Sequence, residues 1–197
     1  MTMDKALTIR VANEADAQHI RAIYAPHVES GVASFETEVP DVETMRARMR
    51  KLLPTHPWLV CVDGERITGY AYAGPHRERA AYRWSTEVTA YVHADYRGRG
   101  VGKRLYAALC TLLRAQGYVN AYGGITLPNA ASVALHESCG FTPCALYRHT
   151  GHKFGAWYDV GWWQLVLQSP PRSPAEPIPF SALPATMLSI AIRAESD

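Results

Sequence analysis

A ten-residue run, WSTEVTAYVH (residues 84–93), leads through DYRGRGVGKRLY (residues 95–106) into a helical stripe. The run reads as a strand. After it, Val101, Leu105, Ala108, Leu109, Leu112 and Leu113 fall on one helical face, and Gly117 ends the pattern. A strand before the glycine turn and a helix after it hold the turn's amides in place. The turn holds Arg97, Arg99, Lys103 and Arg104 among three glycines. A helix N-terminus carries about half a positive charge, so each nearby cation costs a few tenths of a kcal/mol. An anion seated there reverses that sign.

The flanking segments agree. ALTIRVAN alternates like a first strand, and Asn13 caps a helix through Ile20, Ile23 and Tyr24, with Asp16 near its positive end. DVETMRARMRKLL is an amphipathic helix stopped by Pro54. WLVCVD, Gly64 and ITGYAYAG form a β-hairpin. YVNAYGGIT is a strand weakened by its glycines, LPNAASVALHESCGF a short helix from Asn129 to Gly140, and WYDVGWWQLVLQ a last strand. Alternating strands and helices with a hairpin predict a mixed α/β sheet covered by helices on both faces. From residue 169 the chain turns proline-rich: SPPRSPAEPIPFSALP holds six prolines. Residues 1–168 therefore read as the domain and 169–197 as an extended tail, packed on the body or a partner, or mobile.

The length of 197 residues suits one core, and a net charge of +2 makes the basic turn a local feature. A dedicated nucleic-acid binder shows a broader basic face, so no nucleic-acid partner is expected. The first residues lack an apolar leader, and no stretch reaches the roughly 18 apolar residues of a membrane span; the expectation is a cytoplasmic protein without a membrane partner. Cys61, Cys110, Cys139 and Cys144 form no C-x-x-C pair and read as buried thiols, and His149 and His152 lack companions at zinc spacing, so no metal is expected.

The glycine turn fits neither common nucleotide pattern. A P-loop needs glycine at 97 and a hydroxyl at 104, where Arg97 and Arg104 stand; the dinucleotide fingerprint needs glycine at 103, which is Lys103. What remains is R-x-x-G-x-G, from Arg97, Gly100 and Gly102. Glycines let successive amides approach one anion, and arginines add charge-assisted bonds.

This pattern resembles the signature of the GNAT N-acetyltransferases. ASFE, PWLVCVDG, GYAYAGP, RAAYRWSTE, LPNAAS, LHESCGF and GHKFGAWYDVGWWQ together resemble, in order over about residues 7–168, the phosphinothricin and methionine sulfoximine acetyltransferase group. The resemblance implies the GNAT fold, a mostly antiparallel mixed sheet, and acetyl-CoA as cosubstrate. It implies that Arg97, Gly98, Arg99, Gly100, Val101, Gly102 and Lys103 hold the pyrophosphate. Ala90, Tyr91 and Val92 would line the pantetheine arm, and Asn129 and Ser132 would contact the cofactor; plain helix capping is the other reading of Asn129. Glu87 matches the catalytic glutamate of W-[ST]-x-E, the base for the amine, acting directly or through water. Strand parity sets it with Ser85, Thr89 and Tyr91 on one face and Val88, Ala90 and Val92 on the other, unless the bulge usual in this strand shifts it. A backbone amide of that bulge would hold the oxyanion. His136 stands where related enzymes protonate the thiolate, and Tyr106 is a second hydroxyl near the cofactor.

GPHRERAAY supplies Arg77, Arg79 and Tyr82, and ASFE supplies Phe35 and Glu36, at positions that match the group's substrate pocket. The forked arginines suit an anionic or tetrahedral head group on a small amino acid. His76 departs from the group, where an aromatic often follows GP. Alternative acceptors are a protein N-terminus, a polyamine or an aminoglycoside, and the non-enzymatic alternative is a nucleic-acid-binding regulatory module. Related enzymes imply a homodimer, with WYDVGWW offering apolar surface.

Overall fold

A computed structural model describes residues 7–193. The first six residues, read above as lacking a leader, and the last four of the tail lie outside them. One seven-stranded sheet runs in the order β1-β2-β3-β4-β5-β7-β6. Its strands are β1 (Thr8–Val11), β2 (Trp58–Asp63), β3 (Arg66–Pro75), β4 (Ser85–Val92), β5 (Asn120–Leu127), β6 (Thr142–Lys153) and β7 (Ala156–Val166). The helices are α1 (Ala17–Glu29), α2 (Val42–Leu52), α3 (Val101–Gln116), α4 (Ala130–Ser138) and α5 (Ala185–Arg193). Among the described residues no helix is long and apolar enough to cross a membrane.

Strand period decides which layer each residue joins. In β2, Trp58, Val60 and Val62 pack with Ile20, Ile23, Tyr24, Met45 and Met49 of α1 and α2. Leu59 and Cys61 point the other way, against Leu105, Leu109 and Leu112 of α3. The sheet thus has helices on both faces, as expected. α2 is capped by Asp41, whose side chain accepts from Thr44 N at 2.7 Å, and it ends one residue before the Leu53–Pro54 step. Asn13 and Asp16 form a capping box on a single 3-10 turn that leads into α1, and Asp16 is also held by Arg10 at 2.6 and 2.7 Å.

Two features, β6 and the cysteines, depart from the sequence expectations, and for the tail the structure selects one of the readings left open. β6 was not anticipated: it is an edge strand, exposed over most of its length, with Pro143 and two register breaks, so it carries little hydrophobic alternation. The tail is fastened to the body. Phe180, Leu183 and Ala191 join the α3-side core, and Gln116 Nε2 donates to the carbonyls of Thr55 and Ile178, each at 2.8 Å. Of the cysteines, Cys61 and Cys110 are buried, but Cys139 is half-buried and Cys144 lies exposed on edge strand β6.

β4 and β5 are the parallel neighbours, and they pair only from Ser85 to Glu87 against Asn120 to Tyr122. Beyond Glu87 they part. β4 nevertheless keeps unbroken register with β3 from Pro75↔Thr86 to Gly69↔Val92. The expected bulge in β4 is therefore absent, and the strand parity stands. The irregularity is a fork between two strands rather than an extra residue in one.

Candidate active site

The fork opens a cleft of about 660 Å³ that passes through the sheet. Val88 to Val92 line one prong and Gly124 to Thr126 the other; His27 and Ala33 close it on the α1 side, Tyr106, Leu135 and His136 on the α3–α4 side. Trp84 O accepts from Val119 N at 2.8 Å and Asn120 N at 3.3 Å, which fixes the β4 alternation toward β5. By that alternation the backbone groups of Val88, Ala90 and Val92 face the opened gap. Tyr91 lines the cleft with its ring, which packs on Tyr24 at 5.1 Å, His27 at 4.8 Å and Tyr70 at 5.5 Å. Its backbone faces β3.

At the mouth, Gly98 and Gly100 adopt φ of +74° and +78°, and nothing lies within 4 Å of where a Cβ would sit. Gly100 caps α3, so the amides of Val101, Gly102 and Lys103 start the helix without intrahelical acceptors. Arg97, Gly98, Gly102 and Lys103 all line the cleft. A Cβ on Gly102 would sit 2.9 Å from Leu135, so glycine there lets α3 approach α4. Asn129 Oδ1 accepts from Ser132 N at 3.1 Å, the helix-cap role, while both residues also line the cleft.

His136 and Tyr106 are buried together. His136 Nδ1 lies 2.8 Å from Ser132 O, and a carbonyl only accepts, so Nδ1 carries the hydrogen. Nε2 then accepts from the Tyr106 hydroxyl at 3.0 Å. Burial pushes the His136 pKa below the ordinary imidazole range and the Tyr106 phenol well above its own. A neutral imidazole so engaged has no spare N–H, and the transferable proton of this pair is the phenolic one. Gly123 makes the arrangement possible: a Cβ there would lie 2.3 Å from His136 Nε2. The glycines that weaken the β5 signal in the sequence thus have a packing reason.

Glu87 sits at the crotch of the fork, on the face opposite α3. Its Oε1 accepts from His76 Nδ1 and Arg77 Nη1, each at 3.0 Å. His76 stacks on Tyr122 at 4.4 Å and meets Tyr82 edge-on at 6.0 Å, while Arg77 lies 5.7 Å over Trp162. Arg77 and Tyr82 therefore gather at Glu87. Arg79 is not among the hydrogen-bond partners of Glu87; together with Arg77 and Tyr82 it lines a second groove, which also takes in Arg83 and, from the tail, Glu176 and Pro177. Glu36 is held by Arg48 at 2.7 and 3.1 Å. Burial raises the phenol pKa of Tyr72, and the charges of Glu36 and Glu87 both add to the rise. Phe35 packs over Gly151, where a Cβ would lie 2.1 Å from its ring.

Sequence reasoning missed two site residues. His76 stood out only as a departure. Lys153 gave no signal, yet its buried Nζ donates to Gly31 O at 2.9 Å and Ser34 O at 2.8 Å. It thereby fastens the tip of the β6–β7 hairpin to the loop that carries Phe35 and Glu36.

Residues 9–162, which take in the fork and the glycine-capped helix beside it, match the model described as an acetyltransferase (GNAT) domain. The chain belongs to the GNAT acetyltransferase family. Among curated relatives of this GNAT chain, a phosphinothricin N-acetyltransferase of Streptomyces viridochromogenes is 36% identical over 176 residues, covering 88% of this chain and 96% of the relative. An L-methionine sulfoximine/L-methionine sulfone acetyltransferase of Salmonella typhimurium is 36% identical over 163 residues, covering 82% and 95%. A GNAT superfamily phosphinothricin acetyltransferase of Sinorhizobium meliloti, solved in complex with acetyl-CoA, superposes with a TM-score of 0.84 at 32% identity, covering 90% of this chain and 98% of that one. The GNAT match ends at residue 162, so the packed tail lies outside it.

Proposed function

We propose that this GNAT protein transfers the acetyl group of acetyl-CoA to the α-amino group of a small amino acid with an anionic or tetrahedral head, such as phosphinothricin or methionine sulfoximine. The observation that carries the reading is the fork itself. One cleft runs from the glycine-capped start of α3 along β4 to Val88, the residue after Glu87, where β4 leaves β5. The residues present fit the cosubstrate. Positive-φ glycines with free space leave the α3 amides open to a diphosphate, and Arg97 and Lys103 add charge. The unpaired edge at Val88, Ala90 and Val92 suits an amide-bearing arm laid along it. Acetyl-CoA supplies the activated thioester.

The chain's residues then divide the work. Glu87 drives loss of the amine proton, and an edge amide of β4 facing the fork replaces the bulge amide as the oxyanion donor. The Tyr106–His136 pair supplies a proton toward the leaving sulfur. Arg77 and Tyr82 face the acceptor's head group, and Phe35 and Glu36 wall the pocket. Arg79, on the same loop, lines the neighbouring groove with Arg77 and Tyr82 and adds positive charge there. Exposed Leu146, Tyr147 and Trp157 on β6 and β7 give the expected homodimer an apolar surface.

The test is release of the free coenzyme thiol with phosphinothricin or methionine sulfoximine as acceptor. Release with either is the expected outcome. No release with both, at acetyl-CoA concentrations where binding is measured directly, ends the reading.

A further inference from the structure

We infer that His76, held by Glu87, is the group that takes the proton from the acceptor amine. The inference deepens the acetyltransferase reading and rests on it.

His76 Nδ1 and Arg77 Nη1 converge on the same oxygen of Glu87, each at 3.0 Å. A carboxylate paired with a guanidinium only accepts hydrogen bonds, so Nδ1 must carry the imidazole hydrogen. That choice leaves Nε2 with its lone pair free. Among the described residues Nε2 has no hydrogen-bond partner. Nδ1 and Nε2 point to well-separated sides of the ring, so Nε2 looks away from Glu87. The ring is also fixed. Tyr122 stacks on it with planes 18° apart, and Tyr82 and Trp162 meet it edge-on. The side chain of His76 is 14% exposed against 36% for Glu87, so the imidazole is the more enclosed of the two. The charged and titratable groups around it are Glu87 on β4, Arg77 and Tyr82 on the loop after β3, and Tyr122 on β5. A carboxylate that fixes the tautomer of an imidazole with a free second nitrogen is the arrangement of a general base and its orienting group.

The step balances simply. The ammonium gives its proton to Nε2, which leaves the amine a free electron pair. The amine nitrogen bonds to the thioester carbonyl carbon, and the C–S bond then breaks, with its electron pair leaving on sulfur. The sulfur is protonated from the opposite side of the fork, and the imidazolium returns its proton to solvent. Glu87 acts as the positioning residue.

The experiment compares His76→Phe, His76→Ala and wild type. Phenylalanine keeps the stack on Tyr122. With His76→Phe, kcat should fall about 100-fold or more while acetyl-CoA affinity, read by calorimetry, stays within about twofold. Added imidazole should restore part of the lost rate in His76→Ala. Independently of turnover, nitrogen NMR of the wild-type imidazole should show the Nδ1–H tautomer, and Glu87→Gln should mix the tautomers. The inference is overturned if His76→Phe keeps its rate within twofold, if imidazole fails to rescue His76→Ala, or if the resting tautomer carries its hydrogen on Nε2. Should no acceptor support turnover in wild type, the functional reading has failed, and the tautomer measurement still decides whether this dyad exists.

Discussion

Two histidines flank the fork from opposite faces of the sheet, and their surroundings differ in one decisive respect. His136 has both ring nitrogens engaged, by Ser132 O and the Tyr106 hydroxyl, and lies in the α3-side core. His76 has one nitrogen tied to Glu87 and the other free, and its side chain is half-buried. A buried polar group with every bond satisfied rigidifies its surroundings, whereas one with a free lone pair beside a carboxylate is ready for proton transfer. The difference teaches that the α1 side is built to take a proton from the amine, while the sealed α3-side pair has only its phenolic proton to give.

The largest effect that would break this contrast is on the α1 side. Glu87→Gln should lower kcat by about 10²- to 10⁴-fold with little change in acetyl-CoA affinity, read by steady-state kinetics beside calorimetry. An undiminished rate would remove Glu87, and with it the open side, from the chemistry. On the sealed side, Gly123→Ala places a methyl 2.3 Å from His136 Nε2 and should cost about 1–3 kcal/mol or more in chemical denaturation. Tyr106→Phe leaves Nε2 of His136 buried without a donor and should cost about 1–3 kcal/mol. If it costs nothing, the pair is not sealed as described.

A pH titration sharpens the comparison further. Burial lowers the pKa of His136 and brings that of His56 down to about 4. The unfolded chain, with imidazoles near 6.5, then binds more protons than the folded one, so stability rises with pH across this range. It is full above about 6.5 and is lost as pH falls from there toward 4. Thermal melts should show that decline, and His56→Asn should flatten part of it. The smallest effect lies at the tail. Arg83 pairs with Glu176, and Trp84 Nε1 donates to Ala175 O at 2.7 Å, so the tail braces the root of the acceptor loop. Glu176→Gln should cost about 0–1 kcal/mol and raise the acceptor's KM modestly, since the pair is exposed.

Local signals carried much of this fold. The α3 stripe, its glycine cap, the hairpin at Gly64 and the caps at Asn13, Asp41 and Asn129 rest on contacts within a few residues, so they are legible in order along the chain. The site was legible in its parts. The glycine turn stands out by residue type and spacing, while Glu87, Arg77 and His136 are singled out by the resemblance to the acetyltransferase group. Their partners are not. His76 reaches Glu87 across a β3–β4 pairing, Tyr106 reaches His136 from another helix, and Lys153 crosses from one end of the chain to the other. β6 was hidden because an exposed edge strand need not alternate, and the packed tail because its anchors, Phe180 and Leu183, are scattered among prolines.

By itself, then, the sequence determined the period of every strand and long helix but β6 and the tail helix, and the place of the glycine turn, because backbone geometry and steric limits act between neighbours in the chain. Only the tertiary structure decided where β4 leaves β5, which histidine is satisfied and which is free, and what the tail covers. Those depend on atoms brought together from distant segments, where the space left by a missing side chain at Gly123 or Gly151 matters as much as any residue that is present.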